Sequence, residues 1–200
     1  MFVQLKILST PYSRFLWLYK NRTEVIRVEG AHEGKTYMKW YVLQFTATRF
    51  QTVFKHLENM GVKFYCPMDV SKCYRRPDNQ IGFRKRPVPL FPGYLFVNVD
   101  FGFIHSTKIT ALPWTQRFIS FGGEPVPISE EDLTNMLVFE KVRSKSPSSE
   151  QVPEDIVKSI PHKLAVVLLE DNPEKRSMLL LRYLDERFRS SVEKTESLSA

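Results

Sequence analysis

The stretch RPVPLFPGYLFVNVD, residues 86–100, decides how the chain is built into a sheet. Three prolines occur within six residues, and an apolar run without charge follows until the last residue of the stretch. Proline cannot donate a hydrogen bond to a strand ladder, so the proline-rich part is predicted to lead into a strand over residues 94–99. Because side chains alternate along a strand, Tyr94 and Phe96 should share one face of the sheet, with their neighbours on the other face.

The regions on either side of this strand alternate between two kinds of pattern. Short apolar runs predict strands, and apolar residues at i, i+3, i+4 and i+7 predict helices. The polar segment 68–88, which contains Pro77-Asp78 and Gly82, is predicted to be a hairpin or a long loop. The resulting order, β-α-β-β-α-β-α, predicts a ferredoxin-like α/β sandwich of about a hundred residues. The predicted strands cover residues 40–46, 62–67, 94–99 and 116–123, and the predicted helices cover 48–61, 105–113 and 128–143.

The chain divides into four predicted parts. Its first 37 residues show no sustained period, whereas the pattern becomes clear from Met38. Glu33-Gly34 must be encoded by GAR-GGN, which resembles a bacterial ribosome-binding sequence shortly before Met38. We therefore expect Met38 to be a genuine start and the segment before it to be non-native or disordered. The parts are the extension 1–37, the α/β domain 38–143, a Ser- and Pro-rich linker 144–155 and a second small unit 156–200.

The composition favours a binding protein over an enzyme. The net charge of +7 and the pI near 9.4 suit a polyanionic partner such as a nucleic acid. The sequence contains no glycine-rich phosphate loop, no HExxH and no Gly-x-Ser-x-Gly motif. Its histidines, His32, His56, His105 and His162, define neither a catalytic triad nor a metal set. We therefore predict no enzymatic activity and no cofactor.

The cysteines and the hydropathy pattern predict a cytoplasmic protein. Cys66 and Cys73 are separated by six residues, which is not the tight spacing of a zinc site, and they are predicted to be reduced thiols. No apolar run approaches the roughly 18 residues that span a bilayer. The chain is therefore predicted to be a soluble, cytoplasmic monomer without a membrane partner or a bound metal.

Several segments carry a family resemblance. KWYVLQF (39–45), HLENMGVKFYCPM (56–68), PLFPGYLFVNVD (89–100) and RFISFGGEPVPIS (117–129) together resemble the N-terminal domain of the NusG family of transcription elongation factors. The tail EKRSMLLLRYLDERFRSSVEKTE (174–196) is similar to that of RfaH, a specialised branch of this family. The resemblance implies an operon-specific antitermination and elongation factor that binds RNA polymerase and suppresses pausing and termination.

The resemblance implies two contacts with RNA polymerase. In the family, the aromatic surface around a Phe-Pro-x-Tyr-Leu-Phe motif docks on the clamp helices of the β′ subunit, and a His-Thr-Thr-Thr stretch contacts the β gate loop. Bridging the two would hold the DNA channel closed. On the residues alone, the aromatic positions could instead fill a core, and the histidine could be a helix cap. The matching clamp positions are Tyr41, Val42, Phe91, Pro92, Tyr94, Phe96 and Phe121, and the matching gate-loop positions are His105, Ser106, Thr107 and Lys108.

A basic hairpin and the first helix are the predicted contacts with DNA. Segment 68–88 holds six basic and two acidic residues, and the family's hairpin lies near upstream DNA, where phosphate contacts add affinity without sequence information. Of the positions with which RfaH binds bases of the exposed non-template strand, only His56 is retained, while Thr46, Ala47 and Leu112-Pro113 depart from the pattern. Contact with the non-template strand is thus implied, with a different or weak sequence preference. The predicted residues are Arg49, Lys55, His56, Arg75, Arg76, Arg84, Lys85 and Arg86, for which plain solvated charge is the alternative.

The C-terminal unit has two alternative folds. NusG proteins end in a KOW-type β-barrel, which needs glycines at its tight turns, but the last glycine here is Gly123. Pro161 at a first helical position and a break at Asn172-Pro173 instead favour a helical hairpin. The runs LAVVLL and SMLLL would also suit strands, as fold switching requires, and the refolded barrel of RfaH recruits ribosomal protein S10. The predicted apolar stripe of the second helix comprises Met178, Leu181, Leu184 and Phe188, widened by Leu180 and Tyr183.

The resemblance to RfaH also implies autoinhibition, because its hairpin covers the polymerase-binding surface until the correct DNA arrives. RfaH pins its two domains with an acid just before Pro-Leu-Phe-Pro and an arginine in the tail. Arg176 matches the arginine, but the acid position is Val88, so either another carboxylate substitutes or the latch is purely apolar. The alternative function is a ferredoxin-like RNA- or DNA-binding module without polymerase contact. The predicted masking residues are Leu168, Arg176, Leu180 and Tyr183, expected against Phe91, Tyr94 and Phe96.

Overall fold

Strands form where the predicted apolar runs lie, and they pair into an antiparallel sheet. The computed structural model of the protein describes residues 38–69, 73–75, 83–85, 87–145 and 153–198. Within these residues, the strands are β1 (Lys39–Phe45), β2 (Lys63–Tyr65), β3 (Met68–Asp69), β4 (Cys73–Arg75), β5 (Phe83–Lys85), β6 (Val88–Pro89), β7 (Tyr94–Val99), β8 (Thr115–Phe118) and β9 (Pro127–Ile128). The helices are α1 (Phe50–Asn59), α2 (Ser106–Thr110), α3 (Glu130–Lys145), α4 (Glu154–Ser159), α5 (His162–Leu169) and α6 (Pro173–Leu198).

The main sheet has the strand order β2–β7–β1–β8, with β9 also paired to β1. All of these pairs are antiparallel, and Val42 of β1 faces Phe96 of β7 in the register. The outer strands are the second and the last of the predicted β-α-β-β-α-β pattern, as in a ferredoxin-like sandwich. The predicted fold class is therefore confirmed. The polar segment forms the predicted hairpin through the antiparallel pair β4–β5, and β3 pairs with β6 beside it.

Local features fix the end of α1 and the start of α3. α1 buries Val53, Phe54 and Leu57 and ends before Gly61, whose φ of 68° favours a residue without a Cβ. The Oγ of Ser129 accepts a hydrogen bond from the backbone N–H of Asp132 at 3.1 Å, which confirms the predicted cap of α3. Acidic side chains fill the first turn of α3, where they interact favourably with the helix dipole.

The tail folds as helices with a break at the predicted point. The Oδ1 of Asn172 accepts hydrogen bonds from the backbone N–H groups of Glu174 and Lys175 at 3.0 and 3.1 Å, so Asn172 caps α6 and Pro173 is its first residue. Pro161, predicted as a first helical residue, lies one position before α5. α6 thus begins where the sequence indicates, and the two helices α5 and α6 form the structure called the hairpin below.

The predicted apolar stripe of α6 is partly wrong. Met178 is 70% exposed, whereas Arg176 and Ser177 are buried one turn before Leu180. The run from Met178 to Leu181 is apolar at every position, so apolar spacing alone does not select the buried side of this helix. The packing of α6 on the sheet selects it instead.

The predicted domain limits lie close to the observed helix ends, and the division itself stays a prediction. α3 continues to Lys145, two residues beyond the predicted limit, and α4 begins at Glu154. The predicted extension 1–37 lies outside the described residues. No described helix combines the length and the apolar character needed to cross a bilayer.

Candidate functional site

The proline-rich stretch forms a tight turn that presents apolar side chains to one face of the sheet. The backbone N–H of Tyr94 donates to the carbonyl of Phe91 at 3.1 Å across Pro92 and Gly93. Gly93 has a φ of 83°, as the third position of a type II turn requires, and a Cβ there would approach the carbonyl of Phe45 to 3.3 Å. The turn and the sheet together bury four side chains at one surface, which we call the covered face: Val42, Leu90, Phe91 and Phe96.

The hairpin packs on the covered face. Phe96 is 0% exposed, and neither α1 nor α2 contributes a residue to the cluster that buries it. The predicted masking residues Leu168, Leu180 and Tyr183 belong to the same apolar cluster as Phe91 and Phe96. The cluster is completed by Ile160, Leu164, Ala165, Val167 and Leu184 from the tail, by Leu133, Met136 and Phe139 from α3, and by Ile119 and Ile128.

Arg176 fastens the hairpin to the turn through main-chain carbonyls. Its side chain is 1% exposed, and its Nη1 donates to the carbonyl of Leu90 at 2.9 Å. Its Nε donates to the carbonyl of Glu170 at 2.7 Å, and its Nη2 donates to that of Asp171 at 3.5 Å. The guanidinium therefore donates to main-chain carbonyls and has no direct hydrogen bond to a carboxylate. The sequence had left two alternatives, a substitute carboxylate or a purely apolar latch, and this arrangement is neither.

A carboxylate nevertheless stands beside the position of the missing acid. Asp69 on β3 is the register partner of Val88 on β6, and it is buried. Burial and the nearby charge of Arg143 lower the pKa of Arg176, and the charge of Asp69 opposes that change. Arg143 also lies 3.7 Å from an oxygen of Asp69. Asp69 thus lies across the strand pair from the position expected to hold the acid, where it is in contact with Arg143 and has no direct bond to Arg176.

A second polar contact joins α6 to α3. The hydroxyl of Tyr183 donates to Oδ1 of Asp132 at 2.8 Å, and Nη2 of Arg187 lies 3.5 Å from Oδ2 of the same carboxylate. Burial and the bond to Asp132 raise the pKa of Tyr183. Asp132 was not predicted as a site residue, because an acid in the first turn of a helix is already accounted for by the helix dipole.

We expect Tyr183→Phe to loosen the hairpin while leaving the α/β domain folded. The change removes one buried hydrogen bond and leaves Asp132 with Arg187, so the free energy of unfolding should fall by about 1–2 kcal/mol. Tyr65→Phe is the matched control, because the Tyr65 hydroxyl bonds Glu140 at 2.8 Å inside the α/β domain. Hydrogen exchange should accelerate at α5 and α6 amides only in Tyr183→Phe, and equal acceleration in both variants would contradict a role of Asp132 in holding the hairpin.

The structure does not bring all predicted clamp residues together. Tyr41 points to the opposite face from Val42, where its ring centroid lies 4.5 Å from that of Phe101. Tyr94, Pro92 and Phe121 are half-buried at the rim of the covered face. The ring centroid of Phe121 lies 6.2 Å from that of Phe188 on α6, and the hydroxyl of Ser177, which donates to the carbonyl of Pro173 at 3.1 Å, also lies 3.5 Å from the carbonyl of Pro92.

The predicted gate-loop residues form an open surface at the start of α2. His105 precedes this helix, and its Nδ1 accepts a hydrogen bond from the backbone N–H of Thr107 at 3.3 Å. His105, Thr107 and Lys108 are exposed, and Ser106 is half-buried. The helix-cap alternative for His105 is therefore realised, and the cap still leaves this surface open to solvent.

The predicted DNA-binding residues lie on two separate elements. Arg49 and Lys55 are exposed at and within α1, whereas His56 is half-buried. Arg75, Arg84 and Lys85 belong to the β4–β5 hairpin, and Arg76 and Arg86 lie outside the described residues. The guanidinium carbon of Arg49 lies 4.9 Å from the ring centroid of Trp114, a residue that the sequence patterns did not single out. Within the described ranges, no group of three or more histidine, cysteine or acidic side chains could hold a metal ion.

Comparisons with known proteins support the resemblance drawn from the motifs. The family model described as "Transcription termination factor nusG" matches residues 38–137. The chain is similar to the transcription termination/antitermination protein NusG of two Helicobacter pylori strains, with 29% identity over 119 residues. That alignment covers 54% of this chain and 64% of each relative. A solved structure titled "Domain interaction in Thermotoga maritima NusG" aligns at 22% identity over 59% of this chain and 64% of that one, with a TM-score of 0.38, which does not establish a shared fold.

Proposed function

Because this chain belongs to the NusG family, we propose that it is an operon-specific transcription antitermination and elongation factor that is held inactive by its own C-terminal hairpin. The observation that carries this proposal is the burial of the covered face beneath α5 and α6. The chain spans about two thirds of the length of the curated relatives it matches, at 64%, so its partners are proposed from its own surfaces.

The covered face is proposed to bind the β′ clamp helices of RNA polymerase. Its apolar side chains form one continuous surface with the half-buried aromatic rings at its rim. An apolar surface of this kind, if freed from the hairpin, has the character of a protein-binding site rather than of ordinary solvent-facing sheet. The hairpin and the clamp helices would both present apolar helical side chains to the covered face, so they would compete for it.

The strength of the masking contact supports an autoinhibited resting state. Leu164, Leu168, Leu180 and Leu184 of the hairpin are all buried against the rest of the cluster. At about 1.5–3 kcal/mol for each fully buried leucine, their burial favours the docked state by an amount comparable with a micromolar binding free energy. Activation therefore needs a partner that contributes free energy beyond polymerase contact alone, and DNA is the proposed partner.

The other proposed contacts lie on surfaces that the hairpin leaves open. The residues around His105 are exposed for the β gate loop, and Arg49 and Lys55 are exposed for the non-template DNA strand. Phosphate contacts from these residues and the β4–β5 hairpin would add affinity without sequence information. Protein bound at the clamp and the gate loop would keep the channel closed and so suppress pausing and termination.

The released tail is proposed to recruit ribosomal protein S10 if it refolds into the KOW-type barrel of the family. The apolar composition of α5 and α6 is compatible with strands. Since no glycine follows Gly123, the turns of such a barrel would have to be built from other residues.

The experiment is polymerase binding by a matched pair of variants of the full chain. Leu168 is 0% exposed against the covered face, whereas its neighbour Leu169 is 45% exposed. Leu168→Asp would bury an unpaired charge and should drive the hairpin off the sheet, whereas Leu169→Asp should leave it in place. Binding to purified core polymerase, measured by interferometry, should be at least about tenfold tighter for Leu168→Asp than for the wild type and Leu169→Asp.

Two outcomes would contradict the proposal. Equal affinity of all three proteins would contradict masking, provided that circular dichroism shows the α/β domain of Leu168→Asp to be folded. No binding by any of them, together with binding to isolated nucleic acid, would favour the alternative of a nucleic-acid module without polymerase contact.

A further inference from the structure

One exposed aromatic residue adopts a backbone conformation that a bulky side chain normally avoids. Trp114 has a φ of 70°, and no other non-glycine residue in the described ranges has a positive φ. Its side chain is nevertheless 46% exposed. A tryptophan in the left-handed region is a conformational outlier, and such outliers persist where the surroundings enforce them, most often at functional sites.

The surrounding turn enforces this conformation. The carbonyl of Trp114 accepts a hydrogen bond from the backbone N–H of Thr46 at 2.9 Å. The hydroxyl of Thr115 donates to the carbonyl of Leu112 at 2.7 Å and approaches that of Ile109 at 2.9 Å. These hydrogen bonds hold the backbone around Trp114 and leave its indole partly exposed, although glycine would suit the same turn without strain.

One cationic side chain lies against the indole, and a second follows nearby in the chain. The guanidinium carbon of Arg49 lies over the ring at 4.9 Å from its centroid, which is a cation–π arrangement. Arg117 follows on β8, and its Nε donates to Oε1 of Gln44 at 3.0 Å at the same end of the sheet. An exposed aromatic ring with one arginine against it, and a second exposed arginine three residues later in the chain, matches the chemistry of single-stranded nucleic acid, whose bases stack and whose phosphates are anionic.

We propose that Trp114 is a stacking platform for an unpaired base of single-stranded DNA, with Arg49 and Arg117 as contacts for the flanking phosphates. The choice of DNA rests on the proposed function, in which this protein meets the non-template strand. Stacking on an indole tolerates any base, so Trp114 contributes affinity with little sequence preference. Arg49 has two roles, because it holds the indole in place and neutralises a phosphate.

The test is binding of the full-length protein to a fluorescently labelled 12-nucleotide single strand of mixed sequence. Trp114→Gly keeps the turn, because glycine favours the observed φ, but it removes the ring. We expect this variant to bind about tenfold or more weakly, and Trp114→Phe to stay within about threefold of the wild type. Titration should quench the tryptophan fluorescence of the wild type and should not quench that of Trp114→Gly.

Further measurements test the phosphate contact and the type of nucleic acid that is bound. Arg117→Gln should weaken binding and reduce the dependence of log affinity on log salt concentration by about one unit or less, as loss of one phosphate contact predicts. Equal affinities of wild type and Trp114→Gly, equal affinity for duplex and single strand, or tighter binding of the matching RNA would each overturn the proposal. The assay contains no polymerase, so its failure and a failure of the Leu168→Asp experiment are distinguishable.

Discussion

Leu180→Asp should release α6 from the sheet and give the largest change of any single substitution in the tail. Leu180 is 0% exposed and belongs to the cluster that contains Phe91 and Phe96. Arg176 lies one turn earlier on the same buried side, but its guanidinium already donates to three main-chain carbonyls, so we expect burial of a carboxylate at this position to cost more than docking of the hairpin gains. Detachment is then the lower-energy outcome, since it places the new charge in water and leaves the domain's own core intact.

Hydrogen exchange measures this release directly. We expect loss of protection at α5 and α6 amides by about 4 kcal/mol, a roughly 1,000-fold rise in exchange rate, while β1 and β7 remain protected. Met178→Asp is the matched control, because Met178 lies two residues away on the same helix and is 70% exposed. Its effect should stay within about 0.5 kcal/mol. Loss of protection at β1 and β7 to the same extent as at α6 would show that the hairpin and the α/β domain unfold as one unit.

Arg176→Met should weaken the latch between the hairpin and the proline-rich turn by about 3 kcal/mol or more. Methionine retains much of the apolar stem but removes every donor, so the buried carbonyl of Leu90 loses its partner, as do those of Glu170 and Asp171. Arg176→Lys should cost less than Arg176→Met, because lysine keeps the charge but cannot reproduce the planar fork of donors.

Arg182→Met is the control for this prediction. Arg182 lies on the same helix but is exposed, and it pairs only with Glu186 at i+4, a contact worth about 0.3–0.5 kcal/mol. Chemical denaturation should therefore separate the two variants by at least about 2 kcal/mol, and polymerase binding should strengthen only in Arg176→Met. Equal denaturation midpoints would mean that the carbonyls of the turn find other donors and that the latch is apolar.

The elements of this fold follow from short-range chemistry, and the sequence indicates them well. The proline-rich stretch predicts the entry to β7, and the structure places a type II turn there, in which Pro92 fixes φ and Gly93 takes a positive φ. Ser129 caps α3, and Asn172 at the predicted break caps α6, because their side chains accept hydrogen bonds from backbone N–H groups two or three residues ahead. Each of these signals is complete within a few residues of chain.

The contacts of the candidate site depend on residues far apart in the chain. Asp132 meets Tyr183 across 51 residues, and Arg176 meets Leu90 across 86. Asp69 lies opposite Val88, the position expected to hold an acid, only because of the β3–β6 register. Strand alternation predicts that Tyr41 and Val42 point to opposite faces of the sheet, whereas the family pattern places both in the clamp-binding set. The structure has the two side chains on opposite faces.

From the sequence alone come the α/β sandwich, the break in the tail and the apolar character of the proline-rich turn, because propensity, capping and periodicity act between near neighbours. Only the tertiary structure decides which side of α6 is buried, which carbonyls receive Arg176 and how Trp114 is held. A helix such as α6, apolar at four consecutive positions, can dock on several of its sides, and the choice is made by the total burial and hydrogen bonding available at the covered face.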